Sequence, residues 1–273
     1  MAGEWNFPRR STLKKDMLAR RALPSSSGSA LKYPCEQCPI RGLKVFRPFT
    51  AEELGFVASF KAGELVVDPR ATILQEGTSS THLFTVLIGW AFRYKMLPDG
   101  RRQILNFALP GDFLGLQASM FNEMTHSVEA LTSMTLCVFP RERIWELYEH
   151  HASLSFDVTW LAAREEQILD SHLLNVGRRN AIERTAYLIL HLFMRARDVG
   201  LAGKANLALP ITQQHLADTL GMSIVHTNKT LRRLYDRKLI SWKSQRLEIL
   251  DMEALKEIAE WDGESTGQLR PLI

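Results

Sequence analysis

Two sets of residues in this chain have types and spacings that can do chemistry. Cys35-Glu36-Gln37-Cys38 is a CxxC, which can ligate a metal, join an iron–sulfur cluster or act as a dithiol switch. Zinc wants four ligands, and no second CxxC or CxxH follows at zinc-ribbon spacing. The remaining cysteine, Cys137, sits in the apolar run Leu136-Cys137-Val138-Phe139, where a buried structural thiol is the default. The second set is cationic. Segment 224–246 holds seven Lys/Arg (Lys229, Arg232, Arg233, Arg237, Lys238, Lys243, Arg246) against one acid, Asp236. Cations at that density suit the phosphates of a nucleic acid. No Ser/His/Asp grouping or phosphate loop appears, and the CxxC lacks the strand-to-helix context of a thioredoxin fold. An enzyme is therefore not expected, although a CxxC thiol redox protein is the alternative of a different class.

The elements around the cations must position them. Thr212 follows Pro210 and can cap a helix whose inner face is Leu216, Ala217 and Leu220. Gly221 then stops that helix and lets the chain turn. Ser223 can cap a second helix with Ile224, Thr227, Leu231 and Leu234 on its apolar side. Its other side carries His226, Asn228, Lys229, Arg232, Arg233 and Arg237. Leu239–Trp242 and Leu247–Ile249 alternate around a polar turn, as a β-hairpin wing does. An αα-hairpin with merely solvated charges is the bland alternative, but the joint pattern of helices, turn, wing and charge is that of a helix-turn-helix bound to DNA. Ser223 and its helix N-terminus are expected to hold a phosphate, with Thr212 and Gln213 as further DNA-binding residues. His226, Asn228 and Lys229 are the candidates for base edges, Val225 for a thymine methyl, and Arg232 and Arg233 for further phosphates.

At 273 residues the chain is long enough for two domains with real cores. Its 45% hydrophobic and 23% charged content is ordinary for a soluble protein. Nothing in it resembles a membrane span or a signal peptide, and three cysteines do not make a disulfide framework, so a cytoplasmic location is expected. The net charge of +4 says less than its distribution. Residues 1–33 carry Lys/Arg at 9, 10, 14, 15, 20, 21 and 32 against Glu4 and Asp16, followed by a serine-rich linker, and read as a flexible basic tail.

Between them lie short strands with Gly/Pro/Asp punctuation: 64–67, 72–74, 82–88, 90–96, 102–109 and 128–139. That series indicates a β-roll or barrel. From Arg141 the period becomes helical. A long helix over 157–176 carries an apolar stripe at 154, 158, 161, 165 and 168, which reads as a coiled-coil seam pairing two copies, with packing on its own roll as the alternative. Gly177-Arg178-Arg179 is expected to break it, and a further helix follows over 181–199 with Ala186, Leu190, Phe193 and Met194 inward.

A roll, a long helix and a winged helix-turn-helix resemble the Crp/Fnr family of bacterial transcription regulators over roughly residues 33–255. The likeness is strongest in Asp99–Leu105 leading into Leu109-Pro110-Gly111-Asp112-Phe113-Leu114-Gly115, and in 211–240. The resemblance implies an α+β chain: a basic tail (1–33), a cyclic-nucleotide-binding-like β-roll as sensor or effector domain (34–150), a dimerisation helix (151–177), a winged helix-turn-helix (178–262) and a tail (263–273). It implies a homodimer on near-palindromic double-stranded DNA, contact with RNA polymerase, and activation or repression of transcription. In the cyclic-AMP receptor branch a Glu holds the ribose and an Arg the cyclic phosphate. Leu116 and His126-Ser127 stand there, so cyclic AMP is not expected. In the oxygen-sensing branch four cysteines hold a [4Fe–4S] cluster. Cys35, Cys38 and Cys137 match three, and the other position falls near Lys44, a poor iron ligand. That leaves an iron–sulfur cluster with a non-cysteine fourth ligand, thiol redox or oxygen control, or a constitutive or small-molecule-responsive regulator with no metal. The family's guanine-reading Arg aligns with Lys229 and its neighbouring Glu with Val225, so the half-site should differ from those that these branches bind.

Overall fold

The computed structural model describes residues 31–261, 263 and 269–273. The basic tail expected over 1–33 lies almost wholly outside these, and the residues from 33 onward form one unit.

After a 3-10 turn at Cys35–Gln37, α1 (Ala51–Phe60) begins at Thr50, whose hydroxyl accepts from Glu53 N while the Glu53 carboxylate accepts from Thr50 N. That reciprocal cap satisfies two otherwise orphaned amides. The strands β1 (Gly63–Val67), β2 (Thr72–Leu74), β3 (His82–Ile88), β4 (Ala91–Met96), β5 (Arg102–Ala108) and β6 (Phe113–Leu114) follow. A short α2 (Leu116–Phe121) leads to β7 (Ser127–Ala130) and β8 (Met134–Pro140). They make two antiparallel four-stranded sheets, ordered β1-β8-β3-β6 and β2-β7-β4-β5. The single strand expected over 128–139 is therefore two, one in each sheet, because the chain turns at Leu131–Ser133, where Leu131 N and Thr132 N both bond to Trp90 O.

Alternation along the strands fills the roll. Phe84, Val86, Ala91, Ala108, Leu114, Met124, Val128, Met134 and Leu136 form one apolar cluster. Leu83 and Leu87, on the opposite face of β3, join Phe60, Phe107 and Phe139 in the main core. β3 is thus covered on both sides, which explains its nearly unbroken hydrophobicity.

A short α3 (Ile144–His150) precedes α4 (Ala152–Arg178). α4 ends at Arg178 with Arg179 as its cap, within the expected break at Gly177-Arg178-Arg179. One expectation about it changes. Its stripe at Leu154, Val158, Leu161 and Ile168 is buried against this chain's own core, with half-buried Glu165 held by Arg93 of β4. The outward side instead carries Phe156, Ala162, Ala163, Leu169, Leu173 and Leu174, all exposed. The helix has two apolar stripes, and the one with the regular three-four spacing is used internally.

Next come α5 (Ala181–Asp198), β9 (Asn206–Ala208), α6 (Gln213–Leu220), α7 (Ile224–Asp236), β10 (Ile240–Lys243), β11 (Arg246–Ile249) and α8 (Met252–Ala259). α5 is buried almost all round from Thr185 to Phe193, because α6, α7 and α8 all pack on it. Of its expected inner face only Met194 is half exposed. Residues 269–273, at the end of the tail expected over 263–273, return to the roll and are packed there. No helix among the described residues is long and apolar enough to cross a membrane.

Candidate functional site

Local sequence sets the frame of the cationic site. Thr212 caps α6 in a box with His215, whose Nδ1 accepts from Thr212 N at 3.1 Å. Gly221 sits at φ +62°, the left-handed geometry that ends α6 and frees the chain to turn. Ser223 then caps α7, its hydroxyl accepting from His226 N at 3.2 Å. Thr227, Thr230, Leu231 and Leu234 are the buried face of α7. Thr227 and Thr230 return their hydroxyls to the backbone carbonyls of Ser223 and His226, so neither leaves a buried polar atom unsatisfied.

The residues expected to meet DNA are all on the surface: Thr212, Gln213, Ser223, Val225, His226, Asn228, Lys229, Arg232 and Arg233. Ile224, placed on the apolar side by its spacing, is 37% exposed and Val225 60%, so both side chains project beside the cations. β10 and β11 pair as the expected wing, turning at Ser244-Gln245, both at positive φ. Among the described residues, none of the seven cations of 224–246 is held in an ion pair. The outcome is a solvated, uncompensated positive face on one helix and one hairpin tip.

Sequence reasoning missed what fixes this face to the roll. Arg102, at the start of β5, bonds Asp218 of α6 through Nε at 2.9 Å and stacks 4.9 Å over Phe92. Gln103 Nε2 donates to Thr219 O at 2.9 Å, and the Phe92 ring lies 5.3 Å from His215. Burial, then the Arg102 charge, pushes the His215 pKa down. Deeper in, Asp112 accepts from Arg195 of α5 at 2.7 Å, from Leu109 N at 2.7 Å, and from Arg270. Burial opposes the Asp112 charge, but the two guanidiniums outweigh it and hold the pKa down to about 2. The preceding Gly111 has φ +87°, and a Cβ there would run into the Phe46 ring. A lone acid in the apolar run 109–114 was the one available signal.

Two ligand expectations can be tested against the side chains. At the cyclic-nucleotide position Leu116 offers no acceptor for a ribose hydroxyl. His126 is buried, and its pKa falls to about 3 through burial, then Arg93 and Lys95. A neutral imidazole is no partner for a buried phosphate, so these residues do not fit a cyclic nucleotide. The same shift predicts a pH effect. The folded chain takes up this proton near pH 3 and the unfolded chain near 6.5. Stability is therefore complete above about 6.5 and is lost as pH falls towards 3, by up to about 1.4 kcal/mol per pH unit. The urea midpoint should drop between pH 6.5 and 5, and His126→Gln should flatten that drop. Equal slopes in both proteins would refute the assignment.

Cys35, Cys38 and Cys137 do converge, on one cavity of about 30 Å³ that is also lined by Ile40, Phe49 and Leu272. Among the described residues no three His, Cys, Asp or Glu side chains are arranged to hold a metal. Burial pushes Cys137 up to about 11, with Lys61 opposing it. A [4Fe–4S] cluster needs four thiolate-type ligands and far more room, so as arranged these residues do not fit one. A larger cavity of about 300 Å³ lies between the roll, α4 and α5, lined by Trp160, Arg164, Arg197, Asp198, Trp261 and Arg270 among others.

Comparison with known proteins agrees with this geometry. Residues 183–258 match the Crp-like helix-turn-helix domain and residues 64–151 the cyclic nucleotide-binding domain. The chain is 32% identical over 232 residues to the nitrogen fixation regulation protein FixK of Bradyrhizobium diazoefficiens, covering 82% of this chain and 93% of that one. It is 30% identical to the transcriptional activatory protein AadR of Rhodopseudomonas palustris, covering 83% and 94%. Among solved structures, FixK2 from Bradyrhizobium japonicum superposes with a TM-score of 0.65 at 23% identity, over 74% of this chain and 98% of that one.

Proposed function

The chain belongs to the Crp/Fnr family of DNA-binding transcription regulators and is not an enzyme, and from that premise we propose that it acts as a homodimer on a near-palindromic promoter site. The observation that carries this is the uncompensated cationic face of α7 and the wing. Two copies joined along the outward side of α4 present two such faces to successive major grooves. Ser223 and the start of α7, with Thr212 and Gln213 at the start of α6, hold phosphates. His226, Asn228 and Lys229 reach base edges: an amide suits adenine and an ammonium suits guanine. Val225 and Ile224 meet thymine methyls. Arg232 and Arg233 add phosphate contacts. Regulation then follows from contact with RNA polymerase at the promoter.

The test separates reading from holding. Lys229→Ala should relax preference at one base position by about 1–3 kcal/mol. Arg233→Ala should weaken all duplexes alike and make the salt dependence shallower. Both are measured by titrating selected and random duplexes at two salt concentrations. Equal losses on both duplexes for Lys229→Ala would remove that residue from base recognition.

Control of the regulator has two supports. The convergence of three thiols on one cavity favours redox or oxygen control through thiols. The larger cavity at the junction of roll, α4 and α5 favours a small-molecule effector.

A further inference from the structure

Residues 269–273 follow the helix-turn-helix in sequence but pack on the roll. Arg270 N donates to Val45 O at 2.7 Å, and Arg47 N donates to Arg270 O at 2.9 Å, a parallel bridge beside Phe46. The Arg270 guanidinium meets Asp112 and lies 5.5 Å from the Phe46 ring centroid. Leu272 and Ile273 are buried, and the Thr85 hydroxyl donates to Ile273 O. Leu272 and Ile273 line the same cavity as Cys35, Cys38 and Cys137.

We propose that residues 269–273 are a strap seated in a cysteine-lined socket of the roll, and that modification of those thiols by a small disulfide-type reagent and seating of the strap exclude one another. The inference rests on the reading of the chain as a DNA-binding regulator, because the strap would carry the competition to the DNA-binding unit.

Space makes the two states exclusive. With Leu272 and Ile273 in place the cavity keeps about 30 Å³, room for a water molecule or two. A close-packed interior resists stretching, so a methylthio group on a cysteine competes with Leu272 and Ile273 for this space. The reach of the chain makes the strap mechanical. Trp261 packs on Tyr187 of α5 with ring centroids 5.3 Å apart. The eight residue steps from Trp261 to Leu269 span at most roughly 29 Å when fully extended. A seated strap therefore adds a link from α8 to the roll beside those made by Arg195 with Asp112 and Arg102 with Asp218, and a released one removes it. The chemistry follows the same division. Lys61 Nζ, held by Tyr33 O at 2.6 Å and Glu64 at 2.7 Å, is the cation beside these thiols. Burial raises the pKa of Cys35 and Cys137 against the Lys61 charge. Unseating the strap relieves the burial and leaves the ammonium, so the thiolate forms more readily.

The probe is methyl methanethiosulfonate. A cysteine thiol gives its proton to solvent, the thiolate sulfur attacks the methylthio sulfur, the S–S bond breaks, and methanesulfinate leaves with the electron pair. Labelling of the reduced full chain is followed site by site by mass spectrometry. With Leu272→Asp and Ile273→Asp together, Cys137 should label at least tenfold faster than in the unaltered chain. Leu272→Ser alone should fall between, and Ile273→Val should behave as unaltered. The labelled and unlabelled chains are then titrated with a duplex recovered from a random pool. Labelling should change the affinity of the unaltered chain at least fivefold. The Asp/Asp chain should already show the changed affinity, and labelling should move it no further. A chain with all three cysteines replaced by Ala should ignore the reagent. Equal labelling rates in all variants, the mild Leu272→Ser included, would overturn the socket. An unchanged affinity after complete labelling would overturn the coupling. Failure of the unaltered, unlabelled chain to bind any duplex would instead refute the regulator reading and with it the coupling, while the labelling rates would still decide the socket.

Discussion

Asp112→Ala should be the most destabilising single change in the roll, costing about 3–5 kcal/mol. The carboxylate is 2% exposed and is shared by Arg195 and Arg270, while its second oxygen also takes the amide of Leu109. Removing it leaves two guanidiniums beside each other without their counter-charge and an amide without its acceptor. Arg195 keeps Asn106 Oδ1 at 3.1 Å and Phe107 O at 2.8 Å, which limits the loss on that side. Arg270 has less to fall back on. At roughly 2–4 °C per kcal/mol for a chain of this size, melting should begin about 6–20 °C earlier. Asp112→Asn preserves shape and the Leu109 bond but not the charge, so it should recover a minor part. Replacing all three, Asp112→Leu with Arg195→Met and Arg270→Met, should recover more, because a buried ion cluster replaced as a whole costs far less than one broken in part. A melting curve for Asp112→Ala within a degree or two of the unaltered chain would show that the three charges do not depend on one another.

The second large effect lies on the opposite side of α4. Leu169→Asp with Leu173→Asp should abolish dimers and lower affinity for a palindromic duplex by at least about a hundredfold, since a monomer engages one half-site and forfeits the linkage between the two. Leu169 is 44% exposed and Leu173 70%, so the substitutions remove little from the fold of a single chain and its thermal stability should hold. Sedimentation velocity gives the oligomeric state and gel retardation the affinity. Val158→Asp is the contrasting control. Val158 is fully buried against the chain's own core, so that change should unfold the protein rather than dissociate it. Dimers that survive the Leu169/Leu173 pair at micromolar concentration would move the interface elsewhere.

The contrast between those two faces shows what a sequence can and cannot reveal. The stripe at 154, 158, 161, 165 and 168 has the three-four spacing of a helix seam, and spacing alone does not say whether a second chain or the same chain covers it. Strand ends at 72, 74, 82, 88 and 102 were legible because turn residues punctuate them, and the helix-turn-helix was legible because cap, glycine and charge agree. The cap that opens α1 was equally legible in Thr50-x-x-Glu53 and simply stands outside the strand series. The division at Leu131–Ser133 has neither glycine nor proline to mark it. Asp112, Arg195 and Arg270 are 83 and 158 residues apart along the chain. No local pattern brings such residues together; only the closing of the roll over α5 does so. The three cysteines show a partial success: residue type alone made Cys137 a structural thiol, the family resemblance set it beside Cys35 and Cys38, and folding does gather the three along an apolar space.

Gly177 lies one residue before the last of α4, with open space where a Cβ would be. A glycine inside a helix keeps the hydrogen-bond ladder but adds nothing to stiffen it, at a cost of roughly 1 kcal/mol relative to alanine. The final turn of the rod is thus less stiff than an alanine there would make it. Were two chains paired along α4 as proposed, a slight bend at that turn would let one spine serve promoters whose half-sites differ slightly in twist or spacing.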